Sequence, residues 1–315
     1  MGYILNTTND YHIRTLNTLG WELTVCNALH PEDSPCRQVL KNRESFGIQL
    51  FHSLEKIIPF DRLKSILEVG GGLGYLMRDF LSLAPHFQAT MLDISPFLLQ
   101  KQKETLSECP PVNFREMDFL KLSLSDLRSF DLVVLNENLG DFPTLVFDES
   151  QPKQNDPETI RSIKRMKDYM EEFDLEFAPN ENINIGAMEV VEKLCGADIP
   201  YIYISEHSCE ASMNNAHFPQ HQFTARGVPE KITLKGHDEY TVKFSHLQKI
   251  ARSFRYRVIR GQYIDLFPLD LNERLKAALQ TPTPLSDEQE IIQQFVYDLY
   301  KYEYLVLIND SRKKG

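Results

Sequence analysis

The feature that most constrains this 315-residue chain is a run of alternating glycines after a short apolar stretch. Gly70, Gly72 and Gly74 follow the apolar pair at positions 66 and 67. The helix-like segment Tyr75–Leu83 comes directly after them. A glycine-rich turn between a strand and a helix lets backbone N–H groups approach a nucleotide-like ligand closely. We therefore predict such a ligand site in an open α/β sheet.

The spacing of these glycines separates two classes of cofactor. They alternate, unlike the G-x-G-x-x-G pattern of dinucleotide-binding proteins, and Glu68 lies two positions before the first of them. This E-x-G-x-G-x-G form is typical of class I methyltransferases, in which the loop wraps the amino-acid end of S-adenosyl-L-methionine. Asp93 closes a second strand-like run, where an acid would reach ribose hydroxyls. A nicotinamide-binding fold would also place an acid there, and a glycine turn that serves only tight packing is the plainer alternative.

Composition narrows the class of protein further. The formal net charge is −11 and the isoelectric point is near 5.4, which argues against a nucleic-acid partner because phosphate binding needs clustered Lys and Arg. No apolar run is long enough to cross a bilayer, and Met1–Asp10 lacks the pattern of a secretory signal. The five cysteines are scattered and are expected to be reduced. We expect a cytoplasmic protein without a nucleic-acid or membrane partner, for which a homodimer stays open.

Short strand-like and helix-like segments alternate from Ile66 onwards, which predicts a parallel, doubly wound sheet. A late helix from about Asp287 and the apolar run Tyr304–Ile308 follow. This order matches the ending of class I methyltransferases, in which the last strand enters the sheet antiparallel. The predicted fold class is therefore α/β, with a doubly wound, seven-stranded, Rossmann-like methyltransferase sheet.

The residues before this alternation show a helical pattern without strand-like segments. Residues 1–62 are predicted to form a helical N-terminal extension, and residues 63–315 the methyltransferase domain. Apolar positions are spaced helically over Leu16–Leu29, and a second apolar face runs from Phe46 to Ile57.

Residues 146–182 interrupt the alternation with a polar, acidic stretch and are predicted to be an insertion. Asp156 followed by Pro157 is a strong helix start, and apolar positions at helical spacing follow. The insertion should contribute one amphipathic helix as a cap over the cofactor domain. A lid over the substrate and a surface helix without a function remain equally open.

The order of motifs resembles the MidA-type family of S-adenosylmethionine-dependent methyltransferases. The likeness is carried by Glu44–Leu50 before the glycine loop, by Leu92–Pro96, by Asn136 and Glu137, and by Tyr240–Phe244 late in the chain. Mitochondrial members of that family methylate an arginine of a respiratory complex I subunit. The resemblance thus implies S-adenosyl-L-methionine as cofactor and arginine as an acceptor.

Departures from the family pattern lie near the expected substrate pocket. Gly71 stands where the family usually has proline, and the aspartate after Asn-Glu is shifted to Asp141. Residues 206–209 replace the usual Asp-Tyr-Gly after the fifth strand. Arginine specificity therefore does not transfer directly, whereas the methyltransferase class does.

The cofactor-binding residues are predicted from the loop and the strand ends. Glu68 and the glycines at 70, 72 and 74 should hold the amino-acid end of the donor, and Asp93 with Ile94 the ribose. Asp118 is placed to meet the adenine amino group, with Phe119 beside the ring; the alternative for Asp118 is a loop cap.

The catalytic residues are predicted at the carboxyl end of the fourth strand, where open α/β sheets place reactive groups. Asn136 and Glu137 follow that strand directly, and Asn136 is also expected to contact the cofactor. A carboxylate there could orient a guanidinium or amine, with Asp141 and Glu206 completing an acidic pocket. The alternative is that Asn136 bonds only to backbone and Glu137 is a solvated turn residue.

Four residues could converge on a zinc ion: His207, Cys209, His217 and His221. Their spacing matches no standard zinc pattern. The sequence therefore predicts no metal. The leading function is an S-adenosylmethionine-dependent methyltransferase acting on a protein side chain such as arginine, or on a small molecule with a nitrogen or oxygen acceptor. The alternatives are a nicotinamide-dependent oxidoreductase and a non-catalytic, cofactor-binding assembly protein.

Overall fold

The computed structural model describes residues 2–14, 24–149 and 156–311. Within them the chain forms these strands: β1 (Gly2–Asn6), β2 (Ser65–Val69), β3 (Gln88–Asp93), β4 (Val112–Glu116), β5 (Leu132–Asn136), β6 (Thr144–Asp148), β7 (Tyr201–His207), β8 (Ser212–Met213), β9 (Phe223–Thr224), β10 (Lys231–Thr233), β11 (Asp238–Tyr240), β12 (Arg257–Gln262) and β13 (Tyr302–Ile308). The helices are α1 (Asn9–Arg14), α2 (Val25–Ala28), α3 (Phe46–Leu54), α4 (Tyr75–Leu83), α5 (Pro96–Thr105), α6 (Leu124–Leu127), α7 (Pro157–Glu172), α8 (Ile185–Gly196), α9 (Phe244–Ser253), α10 (Tyr263–Leu266), α11 (Glu273–Ala278) and α12 (Asp287–Lys301).

Seven strands form the central sheet in the order β12-β13-β7-β5-β2-β3-β4. The pairs β2–β3, β3–β4, β2–β5 and β5–β7 are parallel, whereas β13 is antiparallel to both of its neighbours. The predicted doubly wound, seven-stranded sheet with an antiparallel last strand is confirmed. Chain order reverses between β2 and β5, and such a switch point opens a crevice at the carboxyl ends of the strands.

The strand residues explain why both faces of the sheet are covered. Ile66 and Leu67 are successive in β2 and both are fully buried, so their side chains enter opposite layers of the core. The first layer includes Leu50 of α3 and Phe80 of α4. The second includes Val190 of α8. The sequences of strands that are buried on both faces are continuously apolar, as is usual for parallel strands in α/β proteins.

The N-terminal segment differs from the prediction of a helical extension. Residues Gly2–Asn6 form β1, which pairs antiparallel with β6, so the helical prediction is wrong there. The cause is pairing with a distant strand, which local sequence does not specify. Leu16–Leu29 lies partly outside the described residues, and only Val25–Ala28 of it forms a described helix. The predicted apolar face from Phe46 corresponds to α3, where Phe51 packs against Phe80 with ring centroids 5.3 Å apart.

The predicted insertion contains helix α7. Asp156 caps it, because its carboxylate accepts hydrogen bonds from the backbone N–H groups of Glu158 and Thr159. The helix packs against β1, β6 and α8. None of its residues lines the large cavity described below. No helix in the described part of the chain combines the length and apolar character needed to span a bilayer.

Candidate active site

A cavity of about 480 Å³ opens at the carboxyl ends of β2, β3, β5 and β7. Its volume lies within the range of roughly 300–1,000 Å³ that small-molecule sites occupy. Most of the site residues predicted from the sequence line it: Glu68, Gly70, Gly72, Asp93, Ile94, Asp118, Phe119, Asn136, Glu137, Asp141 and Glu206. Gly74 does not line the cavity; it begins α4 with a φ of 82°.

The glycine loop bends in ways that side chains would strain. Gly70 has a φ of 60°, and a Cβ there would lie 2.5 Å from Asn138 Nδ2. Its N–H group donates to the carbonyl oxygen of Leu92 at 2.8 Å, which fixes the loop to β3. Gly72 has a φ of 51°, and a Cβ there would meet no atom within 4 Å. The backbone at Gly72 is therefore accessible to a ligand.

Glu68 lies behind this loop in β2 and is only 2 % exposed. One carboxyl oxygen accepts a hydrogen bond from the backbone of Met77, and Oε2 has no hydrogen-bond partner among the described residues. Burial, with Asp93 nearby, raises the pKa of Glu68 to about 8. The carboxyl is thus protonated at neutral pH and can ionise when a cationic group comes close.

Asp93 ends β3 and is also buried. Its Oδ1 accepts from Ser95 N–H at 2.9 Å, and its Oδ2 accepts from Gln102 Nε2 at 2.8 Å. Gln102 Nε2 also lies 3.1 Å from the carbonyl oxygen of Gly72, so it joins the acid to the glycine loop. Burial raises the pKa of Asp93 to about 6.

Asp118 and Phe119 line the cavity after β4. Asp118 Oδ1 accepts from Leu120 N–H at 2.9 Å, which is the loop-cap contact considered above. Asp118 Oδ2 lies 3.7 Å from Lys121 Nζ. Phe119 is buried and packs at right angles to Phe142 with centroids 6.2 Å apart. The adenine role of Asp118 stays a prediction beside its capping role.

A hydrogen-bonded network holds Asn136 at the end of β5. Register pairs it with Ser205 of β7, and Ser205 Oγ donates to Asn136 Oδ1 at 3.0 Å. The Tyr263 hydroxyl lies 2.7 Å from Ser205 Oγ and 3.0 Å from Asn136 Oδ1. Asn136 therefore bonds to side chains, contrary to the alternative that it serves only the backbone.

Glu137 follows with a left-handed backbone, φ 56°, which is uncommon for a residue with a side chain. Its N–H group donates to the carbonyl oxygen of Ser205 at 3.0 Å, and Tyr263 Oη lies 3.3 Å from its Oε1. Its Oε2 is inaccessible to solvent and has no hydrogen-bond partner among the described residues. Burial, with Glu206 nearby, raises the pKa of Glu137 to about 8. Glu137 is therefore fixed at the cavity by hydrogen bonds and is not a solvated turn residue.

Glu206 projects from the neighbouring strand β7 and is 4 % exposed. Its carboxylate accepts from the N–H of Gly140 at 3.0 Å and of His207 at 2.7 Å. Burial raises its pKa above the ordinary value. Asp141 lies close by; burial raises its pKa, but the positive charge of His12 outweighs this and the net shift is downward.

Sequence reasoning missed the cavity residues Asn138, His12, His237 and Glu239. It also missed Tyr263 and Gln102, which hydrogen-bond the cavity residues Asn136 and Asp93. Gln102 could have been suspected because it lies on the helix that follows Asp93. The others arrive from distant segments without a motif of their own. The four residues considered for zinc do not form one site. His207 Nε2 lies 3.5 Å from Asp298, and His221 Nδ1 lies 2.7 Å from the Tyr297 hydroxyl.

Comparison with known proteins defines the class. A family model described as a methyltransferase domain matches residues 67–151, which include the glycine loop, Asp93 and Glu137. The chain therefore contains a methyltransferase domain and is an enzyme of the methyltransferase type, and this domain implies S-adenosyl-L-methionine as the methyl donor. The match favours this class over the nicotinamide-dependent alternative.

The chain is similar to several solved structures. An uncharacterized superfamily protein from Burkholderia thailandensis aligns with a TM-score of 0.51 at 13% identity, over 98% of this chain and 88% of its own. A member of the same superfamily from that organism, bound to S-adenosyl-homocysteine, aligns with a TM-score of 0.48 at 13% identity, over 100% of this chain and 91% of its own. An S-adenosylmethionine-dependent methyltransferase from Mesorhizobium loti aligns with a TM-score of 0.45 at 11% identity, over 83% of this chain and 98% of its own. The first likeness shows the fold alone. No curated protein matches the sequence.

Proposed function

We propose that this methyltransferase modifies a nitrogen atom of a cationic acceptor, an amine or a guanidinium, and that a protein arginine is the first acceptor to test. The observation that carries this proposal is the pair of carboxyl groups of Glu137 and Glu206. Glu137 follows β5 directly, and Glu206 lies near the carboxyl end of the neighbouring strand β7. Within the described residues neither forms an ion pair with a lysine or arginine, and Glu206 has a histidine beside it, with His207 Nδ1 3.9 Å from its Oε1. Buried carboxyls normally have such partners, so a cationic ligand is the natural complement.

The donor end of the cavity fits an adenosyl sulfonium. Gly72 leaves its backbone open to the cavity, and Glu68 presents an oxygen that has no partner in the described part of the chain. Asp93 has two oxygens that already accept hydrogen bonds, and each can accept another from a ribose hydroxyl. When bound there, S-adenosyl-L-methionine supplies an activated methyl group. We assign donor binding to these residues, with Ile94, Asp118 and Phe119 along the nucleoside.

The acceptor end supplies alignment and a base. Tyr263 and the backbone N–H of Cys26 hydrogen-bond the carboxyl of Glu137 and so fix its direction. With no acceptor bound this carboxyl is protonated at neutral pH, because burial raises its pKa to about 8. A guanidinium or ammonium beside it favours the carboxylate. The carboxylate then accepts a proton from the acceptor nitrogen, before the attack where that nitrogen is an ammonium and during the attack where it belongs to a guanidinium. Glu206 holds the cation from the second side.

The test uses the purified chain with methyl-labelled S-adenosyl-L-methionine and host lysate, followed by mass spectrometry of labelled peptides and small molecules. We expect the label on nitrogen, in linkages that withstand mild base, since methyl esters of carboxyl groups hydrolyse under that treatment. Glu137→Gln should retain the donor affinity measured by calorimetry with S-adenosyl-homocysteine. Its turnover should fall by about 10²–10⁴-fold, the usual contribution of a positioned general base.

Glu108→Gln is the matched control, because Glu108 is exposed and does not line the cavity. Unchanged turnover in Glu137→Gln would remove its catalytic assignment, and a base-labile label would overturn the nitrogen acceptor. Donor binding without transfer to any acceptor would instead support the assembly-protein alternative.

A further inference from the structure

Two imidazoles and two carboxylates meet at one wall of the cavity. His12 Nε2 lies 2.8 Å from Asp141 Oδ1, and His237 Nε2 lies 3.7 Å from the same oxygen. His237 Nε2 also lies 2.8 Å from Glu239 Oε1. Within the described residues, His12, Asp141 and His237 form one group whose candidate ligand atoms all lie within 4.8 Å of one another.

The four side chains come from separate segments. His12 belongs to α1, and Asp141 ends the 3₁₀ turn Leu139–Asp141 that follows β5. His237 precedes β11, and Glu239 lies within it. The ring of Tyr11 stacks on His237 with centroids 4.0 Å apart, which fixes the plane of that imidazole. The cluster thus joins the N-terminal segment, the β10–β11 hairpin and the turn after β5.

We propose that His12, Asp141, His237 and Glu239 bind one divalent transition-metal ion, with zinc as the ion to test. Two imidazoles and two carboxylates suit such an ion better than magnesium or calcium, which prefer oxygen ligands only. Bonds of about 2.0–2.1 Å in a tetrahedral site place ligand atoms about 3.3 Å apart. The separations of Asp141 Oδ1 from His12 Nε2 and His237 Nε2, 2.8 and 3.7 Å, bracket that value, so these two pairs need shifts of about half an ångström. Glu239 Oε1 lies 2.8 Å from His237 Nε2 but outside the group within 4.8 Å, so its side chain has to move further to become the fourth ligand.

The competing explanation is that hydrogen bonds hold these four side chains together without a metal ion. Against it, the His237 side chain is only 9% exposed, and its Nε2 lies near two carboxylate oxygens, 2.8 Å from Glu239 Oε1 and 3.7 Å from Asp141 Oδ1. One N–H group cannot fully satisfy both carboxylates, whereas an ion held at Nε2 can bind both of them. Metal coordination through Nε2 replaces the protons now shared by these four groups.

Four protein ligands make the site closed, and closed sites stabilise structure whereas open ones perform chemistry. The metal would tie α1 and the β10–β11 hairpin to the turn after β5 and so hold this wall of the cavity in place. It would act independently of the acceptor proposed above.

The test measures Zn²⁺ binding to the full chain after removal of any polyhistidine tag. We expect one Zn²⁺ per chain by metal analysis after gel filtration, and a rise in Tm of about 4 °C at a hundredfold excess over Kd. Co²⁺ should give the strong visible absorption of a tetrahedral ion, and excess Mg²⁺ should not displace it. Absence of saturable Zn²⁺ binding overturns the proposal.

Variants identify the ligands. His237→Ala and His12→Ala should each weaken Zn²⁺ binding at least about tenfold and abolish the Co²⁺ spectrum. The His12 side chain is 17% exposed, against 9% for His237, and it belongs to the short helix α1, so His12→Ala keeps the test usable where His237→Ala does not fold. His217→Ala is the control, because His217 is exposed and outside the cavity. Full Zn²⁺ affinity in either folded ligand variant overturns the site.

Discussion

Glu68→Gln is the substitution whose effect on donor binding the structure specifies most closely. The native carboxyl is buried and protonated near neutral pH, with one oxygen lacking a hydrogen-bond partner in the described residues. Its counterpart Gln is nearly the same size but cannot ionise. If the cationic donor binds beside this group, native Glu68 must release its proton during binding, and the variant cannot.

The size of this proton release follows from the pKa. A group with a pKa of about 8 in the empty site is about nine-tenths protonated at pH 7. A cation close to the carboxyl returns the pKa towards its ordinary value of 4.5, so the proton leaves almost completely. Donor binding at pH 7 should therefore release about 0.9 proton from Glu68. Glu137 can release a further fraction of a proton when the donor binds. The contribution of Glu68 is therefore measured as the difference in proton release between the native chain and Glu68→Gln.

Calorimetry measures this number directly. S-adenosyl-L-methionine is titrated into the native chain and Glu68→Gln at pH 7 in buffers that differ in ionisation enthalpy, and the slope of observed enthalpy against that enthalpy gives the protons released. We expect the slope to fall by about 0.9 in Glu68→Gln and to stay unchanged in Glu108→Gln. Equal slopes for the native chain and Glu68→Gln would refute the placement of the donor beside Glu68.

The remaining predictions concern stability and the site. Without donor, Glu68→Gln should raise the free energy of unfolding in urea by about 3 kcal/mol at pH 7 but by about 1 at pH 5.5, because the raised pKa makes native stability fall between pH 4.5 and 8. Gly72→Ala should cost about 1–2 kcal/mol by thermal unfolding, and Gly70→Ala more because of Asn138; equal losses would contradict the contact. Tyr263→Phe should lower kcat in the labelled-methyl assay with little change in calorimetric donor Kd; a lost donor affinity would contradict its place at the acceptor. Asp156→Ala should lower the Tm measured by thermal unfolding, because α7 loses its N-cap, and leave donor binding unaltered.

The sheet could be predicted because its signals are local. Each βα unit from Ile66 onward shows an apolar run, a turn and a helix, and α4 spans the predicted residues Tyr75–Leu83. The strand Gly2–Asn6 could not be predicted, since its partner Thr144–Asp148 lies more than a hundred positions away. The small strands between Ser212 and Tyr240 escaped for a similar reason, because two or three residues carry no usable periodicity.

The site divides in the same way. Asp93, Glu137 and Glu206 were found because the carboxyl ends of adjacent parallel strands must meet at one edge of the sheet. Tyr263 reaches Asn136 across 127 positions, and its helix α10 shows no motif. His12 and His237 depend on the N-terminal segment and on a hairpin, whose positions only tertiary packing determines. The sequence left open whether the insertion is a lid or a surface helix, and its described helix α7 packs on β1 and α8 without lining the cavity.

The distribution of charge along the cavity bears on whether this fold is used for turnover. Glu68, Asp93, Glu137 and Glu206 are four acids without a lysine or arginine ion pair in the described residues, and burial raises the pKa of each. Such groups weaken a fold at neutral pH, so stability does not explain them. Glu68 and Asp93 are sufficient by themselves to bind a cationic nucleoside donor. Glu137 and Glu206 lie at the ends of other strands, so a protein that only bound the donor would have no use for them. Their presence argues for a second, cationic ligand in the same cavity, which agrees with the amine or guanidinium acceptor proposed above.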